Sequence, residues 1–130
     1  MGQPAAKMGD TVTATDIHII LVPSPGGPVP TPTPCPFVGN ITSGCVNTVL
    51  INSQPAAVVG SQAVNQPPHI PAGGPFQVPP TNQGTIISGS ATVLIGGQPS
   101  ARNGDTAMTC NDPAPLPQGT VVAVSTVLIG

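Results

Sequence analysis

The chain contains one unit three times, and its own ends cut one of the three open. Residues 48–61 read TVLINSQPAAVVGS and residues 92–105 read TVLIGGQPSARNGD. Each is a β-branched run, a two-residue polar or glycine turn, a Gln-Pro segment with small residues, and a Gly followed by Ser or Asp. Residues 2–10, GQPAAKMGD, are the second half of that unit, and residues 126–130, TVLIG, are its first half. Joining the C-terminus to the N-terminus completes the third copy. Three units related by circular permutation predict a closed, all-β object of pseudo-threefold symmetry in which the termini meet. Each unit reads as a strand, a tight turn and a return strand, with turns at Asn52-Ser53, at Gly96-Gly97 and at the junction of Gly130 with Met1-Gly2. Proline falls early in each return strand, where a missing N–H is tolerated. Matching lead-in strands are expected at Ile41–Gly44, Ile86–Gly89 and Val121–Val124. Closure removes the unpaired edges on which strands aggregate. A return strand of about six residues spans roughly 20 Å, so the turns should lie far from whatever follows Gly9, Gly60 and Gly104. Taken alone, the repeats equally describe a three-repeat β-sandwich with no function beyond its shape.

Composition decides whether such a chain folds at all. Sixteen Gly and nineteen Pro in 130 residues point towards low complexity. Charged residues, however, are only 5% of the chain, too few to keep it solvated and disordered, and 32 Leu, Ile, Val and Phe are enough for a small core. The expectation is one domain over residues 1–130 with a Pro-rich insertion at 23–36. No window of about a dozen residues favours helix. The six charged side chains, Lys7, Arg102, Asp10, Asp16, Asp105 and Asp112, cannot make a phosphate-binding surface. Two Phe without Trp or Tyr give no stacking platform, so nucleic acid is not an expected partner. The longest apolar run, Ile17 to Val22, is interrupted by His18 and too short to span a bilayer. The opening MGQPAAKMGD has no apolar signal-peptide core, so export is expected to use another machine.

The two histidines occupy matched places. His18 lies nine residues after Gly9 and His69 nine after Gly60, while Cys110 lies six after Gly104. If threefold closure brings these segments together, two imidazoles and a thiolate converge, and a tetrahedral structural Zn²⁺ site lacks only one ligand. Cys45 stands where the next repeat has Ser90 and reads as a small core residue, which leaves Cys35, in PSPGGPVPTPTPCPF, as the expected fourth. The competing readings are solvated loop histidines, core cysteines, or one disulfide with a spare thiol. No Ser–His–Asp order, phosphate loop or paired carboxylates mark an enzyme. Asp16 and Asp112 are the best candidate general bases if the metal keeps an open position.

At the repeated segments the chain resembles the PAAR family, named for a Pro-Ala-Ala-Arg motif. The matching stretches are Pro4-Ala5-Ala6-Lys7, Pro55-Ala56-Ala57-Val58 and Pro99-Ser100-Ala101-Arg102, each preceded by Gln and followed by Gly-Asp or Gly-Ser. The resemblance runs over nearly the whole chain. It implies a sharp, metal-stapled cone that caps the spike of a contractile injection machine: a type VI secretion system, a phage tail or a free phage-tail-like particle. The implied partner is a homotrimeric VgrG-like spike protein, one cone per trimer, with a target membrane met in passing and effector cargo as a further partner. The role is mechanical rather than enzymatic, the alternatives being an adaptor that attaches effectors and a small zinc enzyme. The family's usual ligands are three His and one Cys. His18, His69 and Cys110 carry over, and Cys35 would replace a histidine in the Pro-rich loop. Two thiolates favour zinc over Fe²⁺. Such a protein is made in the bacterial cytoplasm without a signal peptide and delivered outside at the tip of the particle.

Overall fold

The computed structural model describes residues 2–130, and among them there is no helix. The strands in chain order are β1 (Gln3–Pro4), β2 (Thr11–Val22), β3 (Val29–Ser43), β4 (Val46–Ile51), β5 (Gln54–Ala56), β6 (Gln62–Asn65), β7 (Gln83–Ile86), β8 (Leu94–Ile95), β9 (Gln98–Pro99), β10 (Thr106–Thr109), β11 (Leu116–Val122) and β12 (Leu128–Ile129). Three antiparallel pairs, β2–β3, β6–β7 and β10–β11, close into a six-stranded barrel. The TVLI and QP segments form three two-stranded ribbons, β4–β5, β8–β9 and β12–β1. The last of these joins the chain ends, pairing Gln3 with Ile129 and Pro4 with Leu128. The split repeat is therefore restored in space. Its expected turn includes Met1, which lies outside the described residues.

The ribbon turns are as the sequence requires. Asn52 and Ser53 have φ of 47° and 71°, and Gly96 and Gly97 have 60° and 84°. Two successive positive φ values match the twist of a two-residue hairpin. The return strands are shorter than expected, because each leaves its ribbon after two or three residues to enter a shared ring. Ala6 N–H donates to Ala101 O (2.9 Å), Ala101 N–H to Ala57 O (3.0 Å), and Ala57 N–H to Ala6 O (3.0 Å). A second tier links Met8 N–H to Pro55 O, Val59 N–H to Pro99 O and Asn103 N–H to Pro4 O. Three backbones meeting this closely leave room only for small side chains. Ala5, Ala6, Ala56, Ala57, Ser100 and Ala101 are fully buried there.

Past the ring each repeat makes the same turn. Gly9, Gly60 and Gly104 have φ of 94°, 99° and 91°, which L side chains rarely adopt. The next side chain caps the turn: Asp10 accepts Lys7 N–H, Ser61 accepts Val58 N–H, and Asp105 accepts Arg102 N–H, at 2.7–2.9 Å. The basic side chains close back on these carboxylates (Lys7–Asp10 and Arg102–Asp105, both 2.9 Å) and reach the carbonyls of Val124 and Gly89. Ser61 reaches the equivalent Gly44 carbonyl at 3.0 Å. Both of the chain's cationic side chains are thus spent on holding repeats together.

Two cores stack along the axis. Ile51, Ile95 and Ile129 pack with Ala5, Ala56 and Val58 among the ribbons. Val12, Phe37, Ile41, Ile86, Ala107 and Val121 pack with the ring alanines inside the barrel.

The first hairpin breaks the symmetry. The expected insertion at 23–36 is mostly strand, because β2 and β3 stay paired from Thr11–Asn40 out to Val22–Val29. Val38 and Gln66 bond across the β6 side of β3, so the even-numbered residues of β3 turn their N and O away from β2. Pro30, Pro32, Pro34 and Pro36 share that parity. Their missing donors fall on the outer edge, where they blunt it, and the ladder to β2 loses no bond. The opposite edge of β2 is covered by Pro75, Gln77 and Asp112, which bond the backbone of Leu21, Ile19 and Ile17 at 2.8 Å. Asp16, His18 and Ile20 therefore face inward. From Val12, near the ring, to His18 is about 20 Å of extended chain, so the ribbons and His18 lie at opposite ends of the barrel.

The ring sets a size limit that stability measurements test. Ala57→Leu should cost about 1–3 kcal/mol through overpacking, read as a lowered midpoint in chemical denaturation. Leu50→Ala, at an exposed ribbon position, should be close to neutral.

Candidate metal centre

Asp16 and His18 are two apart on β2 and so share its inward face. Cys110 immediately follows β10, and His69 sits in the loop after β6. Barrel closure brings all four together: the ligating atoms of Asp16, His18, His69 and Cys110 lie within 4.8 Å of one another. Asp16 Oδ2 is 3.0 Å from His69 Nε2 and 3.4 Å from Cys110 Sγ, which is itself 3.6 Å from His18 Nε2. All four residues are buried. Both phenylalanines pack against the imidazoles, Phe76 edge-on to His18 at 5.8 Å and Phe37 on His69 at 6.1 Å.

A second set of partners fixes each group. Asp16 Oδ1 accepts from Thr109 Oγ1 and from Asn111 Nδ2. Asn111 is in turn held by Ile17 N–H on its Oδ1 (2.7 Å) and by Thr109 O on its Nδ2 (3.1 Å). His69 N–H donates to Asn82 Oδ1 at 2.8 Å, and its Nδ1 is 3.3 Å from Asn65 Nδ2. His18 Nδ1 is buried without a hydrogen bond but faces Asp112 Oδ2 at 3.5 Å. A carboxylate behind a histidine is the usual support of a metal-binding imidazole.

These residues fit a cation. A fully buried carboxylate needs a partner for its charge; Lys7 and Arg102 are committed elsewhere, and the basic group beside Asp16 is His69, 3.0 Å away and itself part of the cluster. His69 Nε2 and Cys110 Sγ both approach Asp16 Oδ2, so a cation held by this group would be shared among them. The contacts Cys110–His18–Asp112 follow the order nucleophile, base and orienting acid. Burial and the adjacent Asp16, however, push the Cys110 thiol up to about 11, the wrong direction for a nucleophile.

Of the four residues expected from the sequence, the structure brings together His18, His69 and Cys110. Cys35 is not part of the group. It pairs with Asp16 across the β2–β3 ladder, but its Sγ turns to Thr33 O at 3.6 Å. It lines, with His69, a separate cavity of about 320 Å³ walled by Pro34, Pro36, Pro67 and Ile70. Cys45 is half-buried against the barrel core, in keeping with a small packing residue. The equal nine-residue offsets of His18 and His69 do not make them structural equivalents, since one lies in a strand and the other in a loop. Asp16 was legible in the sequence only as a candidate base. The signal that places it here is its spacing of two from His18.

A family model described as PAAR motif matches residues 77–130, from just before β7 to β12. The chain carries the PAAR motif. The match supports membership of the PAAR family, in line with the resemblance read from the repeats. No curated protein matches the sequence. The PAAR stretch contributes Cys110, whereas Asp16, His18 and His69 precede it, so the centre depends on closure of the whole barrel around that stretch.

The Cys110 shift has a measurable consequence in chelator-treated protein. The thiol ionises near 9.0 in the unfolded chain and near 11 when folded. Its contribution to stability is therefore intact below pH 9 and lost as pH rises from 9 to 11. Burial raises Cys35 and Cys45 in the same direction. Denaturation midpoints should fall over that window, and Cys110→Ser should flatten much of the fall.

Proposed function

We propose that this PAAR-motif protein is the tip of a contractile injection spike, seated by its ribbon end on a homotrimeric VgrG-like protein and held rigid at the other end by a bound Zn²⁺. The observation that carries the reading is the chemistry of the ribbon end. Leu50, Leu94 and Leu128, equivalent in the three repeats, are 61%, 64% and 64% exposed. Val49 and Val127 are exposed beside them. Three matched apolar side chains around a pseudo-threefold axis are complementary to a trimer that offers one identical site per subunit. The PAAR match supports the association with a spike.

The other end suits penetration. Its loops are rich in proline, which restricts the backbone, and a metal tying β2, the loop after β6 and the end of β10 would couple segments far apart in sequence. The chain has few charges to desolvate on meeting a lipid core. His18 and Cys110 both border a cleft with Val78, Pro79, Pro80 and Pro113. The residues of the centre would hold the ion as a staple, with the role mechanical rather than enzymatic. Export in the particle would dispense with a signal peptide.

Binding to a purified VgrG-type trimer, with metal content measured in parallel, tests the polarity. Leu94→Asp combined with Leu128→Asp should abolish co-migration on size exclusion and leave metal content unchanged. His69→Ala should lose metal and retain docking. Gly97→Glu is a less clean probe, because its φ of 84° would strain any side chain. Normal assembly of the double leucine variant would overturn the proposed orientation.

A further inference from the structure

We propose that Asp16, through Oδ2, is the fourth ligand of the metal centre, and that Cys35 remains outside it. This rests on the metal-holding reading above and specifies its donors: one carboxylate oxygen, two imidazole nitrogens and one thiolate.

The carboxylate is oriented before any ion arrives. Thr109 and Asn111 both donate to Oδ1, and Asn111 is fixed by Ile17 N–H and Thr109 O. Oδ2 alone is presented to the cluster, which makes Asp16 a one-oxygen ligand and the centre four-coordinate. The spacing is close. Bonds of about 2.0–2.3 Å place tetrahedral ligands roughly 3.3–3.8 Å apart; Asp16–Cys110 (3.4 Å) and Cys110–His18 (3.6 Å) fall in that range, Asp16–His69 is shorter at 3.0 Å, and no pair exceeds 4.8 Å, so small side-chain shifts bring the four atoms to one ion. Charge agrees as well: Asp16 is fully buried, Lys7 and Arg102 are engaged at the ring, and the basic group beside it, His69, is itself part of the cluster. Cys35 has neither the position nor the orientation: its thiol bonds Thr33 O and lines the neighbouring cavity. One thiolate in place of two makes the donor set harder and less exclusive for zinc over Fe²⁺ or Co²⁺.

The test uses the full chain loaded with Zn²⁺ and, separately, with Co²⁺. X-ray absorption of the zinc form should show one sulfur at about 2.3 Å and three nitrogen or oxygen ligands at about 2.0–2.1 Å. The cobalt form should show the charge-transfer intensity of a single thiolate, unchanged in Cys35→Ser and lost in Cys110→Ser. Asp16→Asn should weaken affinity by more than about 100-fold, beyond the 10–100-fold loss expected of an outer partner. Should that variant fail to fold, the wild-type sulfur count and Cys35→Ser still decide whether Cys35 is a ligand. Two sulfurs on the metal, or loss of one in Cys35→Ser, overturns the assignment of Asp16 and leaves the metal-holding reading standing. A wild-type chain that binds no metal overturns both.

Discussion

Three backbone hydrogen bonds organise this molecule. Ala6, Ala101 and Ala57 each donate to the next and accept from the last, so one residue from each of the three repeats closes a single cycle. Each bond alone contributes on the order of 1 kcal/mol net. The cycle matters more through what it imposes, because a ring of three backbones admits only small side chains at its centre. That limit accounts for the Ala and Ser residues that recur after proline in every repeat. It also divides the core in two, with the ribbon isoleucines on one side and the barrel residues on the other.

The ring brings its own orientation devices. A left-handed glycine turn follows each arm, and an Asp or Ser caps the turn and reaches back. Lys7 and Arg102 serve this frame, and Val58 with Ser61 performs the same task in the second repeat without charge. Four of the six charged side chains are used in this frame, and the other two, Asp16 and Asp112, stand against the histidines. The leucines of the TVLI segments are left facing outward beside the buried isoleucines, which gives one end of a self-contained barrel an apolar surface of threefold character.

Departures from threefold symmetry are concentrated at the opposite end, and they build the cluster that could hold a metal. Only β2 and β3 run far past the barrel, only one repeat places an Asp and a His on a single strand face, and only the third contributes a thiol. Both phenylalanines are used there, against the two imidazoles. Symmetry supplies the apolar ribbon end and asymmetry the His, Cys and Asp cluster.

Much of this was written in the sequence. The repeats and their circular permutation determined an all-β, pseudo-threefold closure with joined termini, because identical local patterns demand equivalent environments. The Asn52-Ser53 and Gly96-Gly97 turns and the glycines after each arm followed from backbone sterics, which are local. That His18, His69 and Cys110 converge was legible from their place after those glycines. The tertiary structure decided the rest. Prolines 30, 32, 34 and 36 looked like a loop insertion, yet their alternation matches the outer edge of β3, and strand parity is set only by pairing with β2 and β6. Cys35 and Asp16 are partners in the same ladder, so composition could not choose between them. Side-chain direction separates them: Thr109 and Asn111 turn Asp16 towards the cluster through contacts that span up to 95 residues and exist only once the barrel has closed, whereas Cys35 turns to Thr33, two residues away.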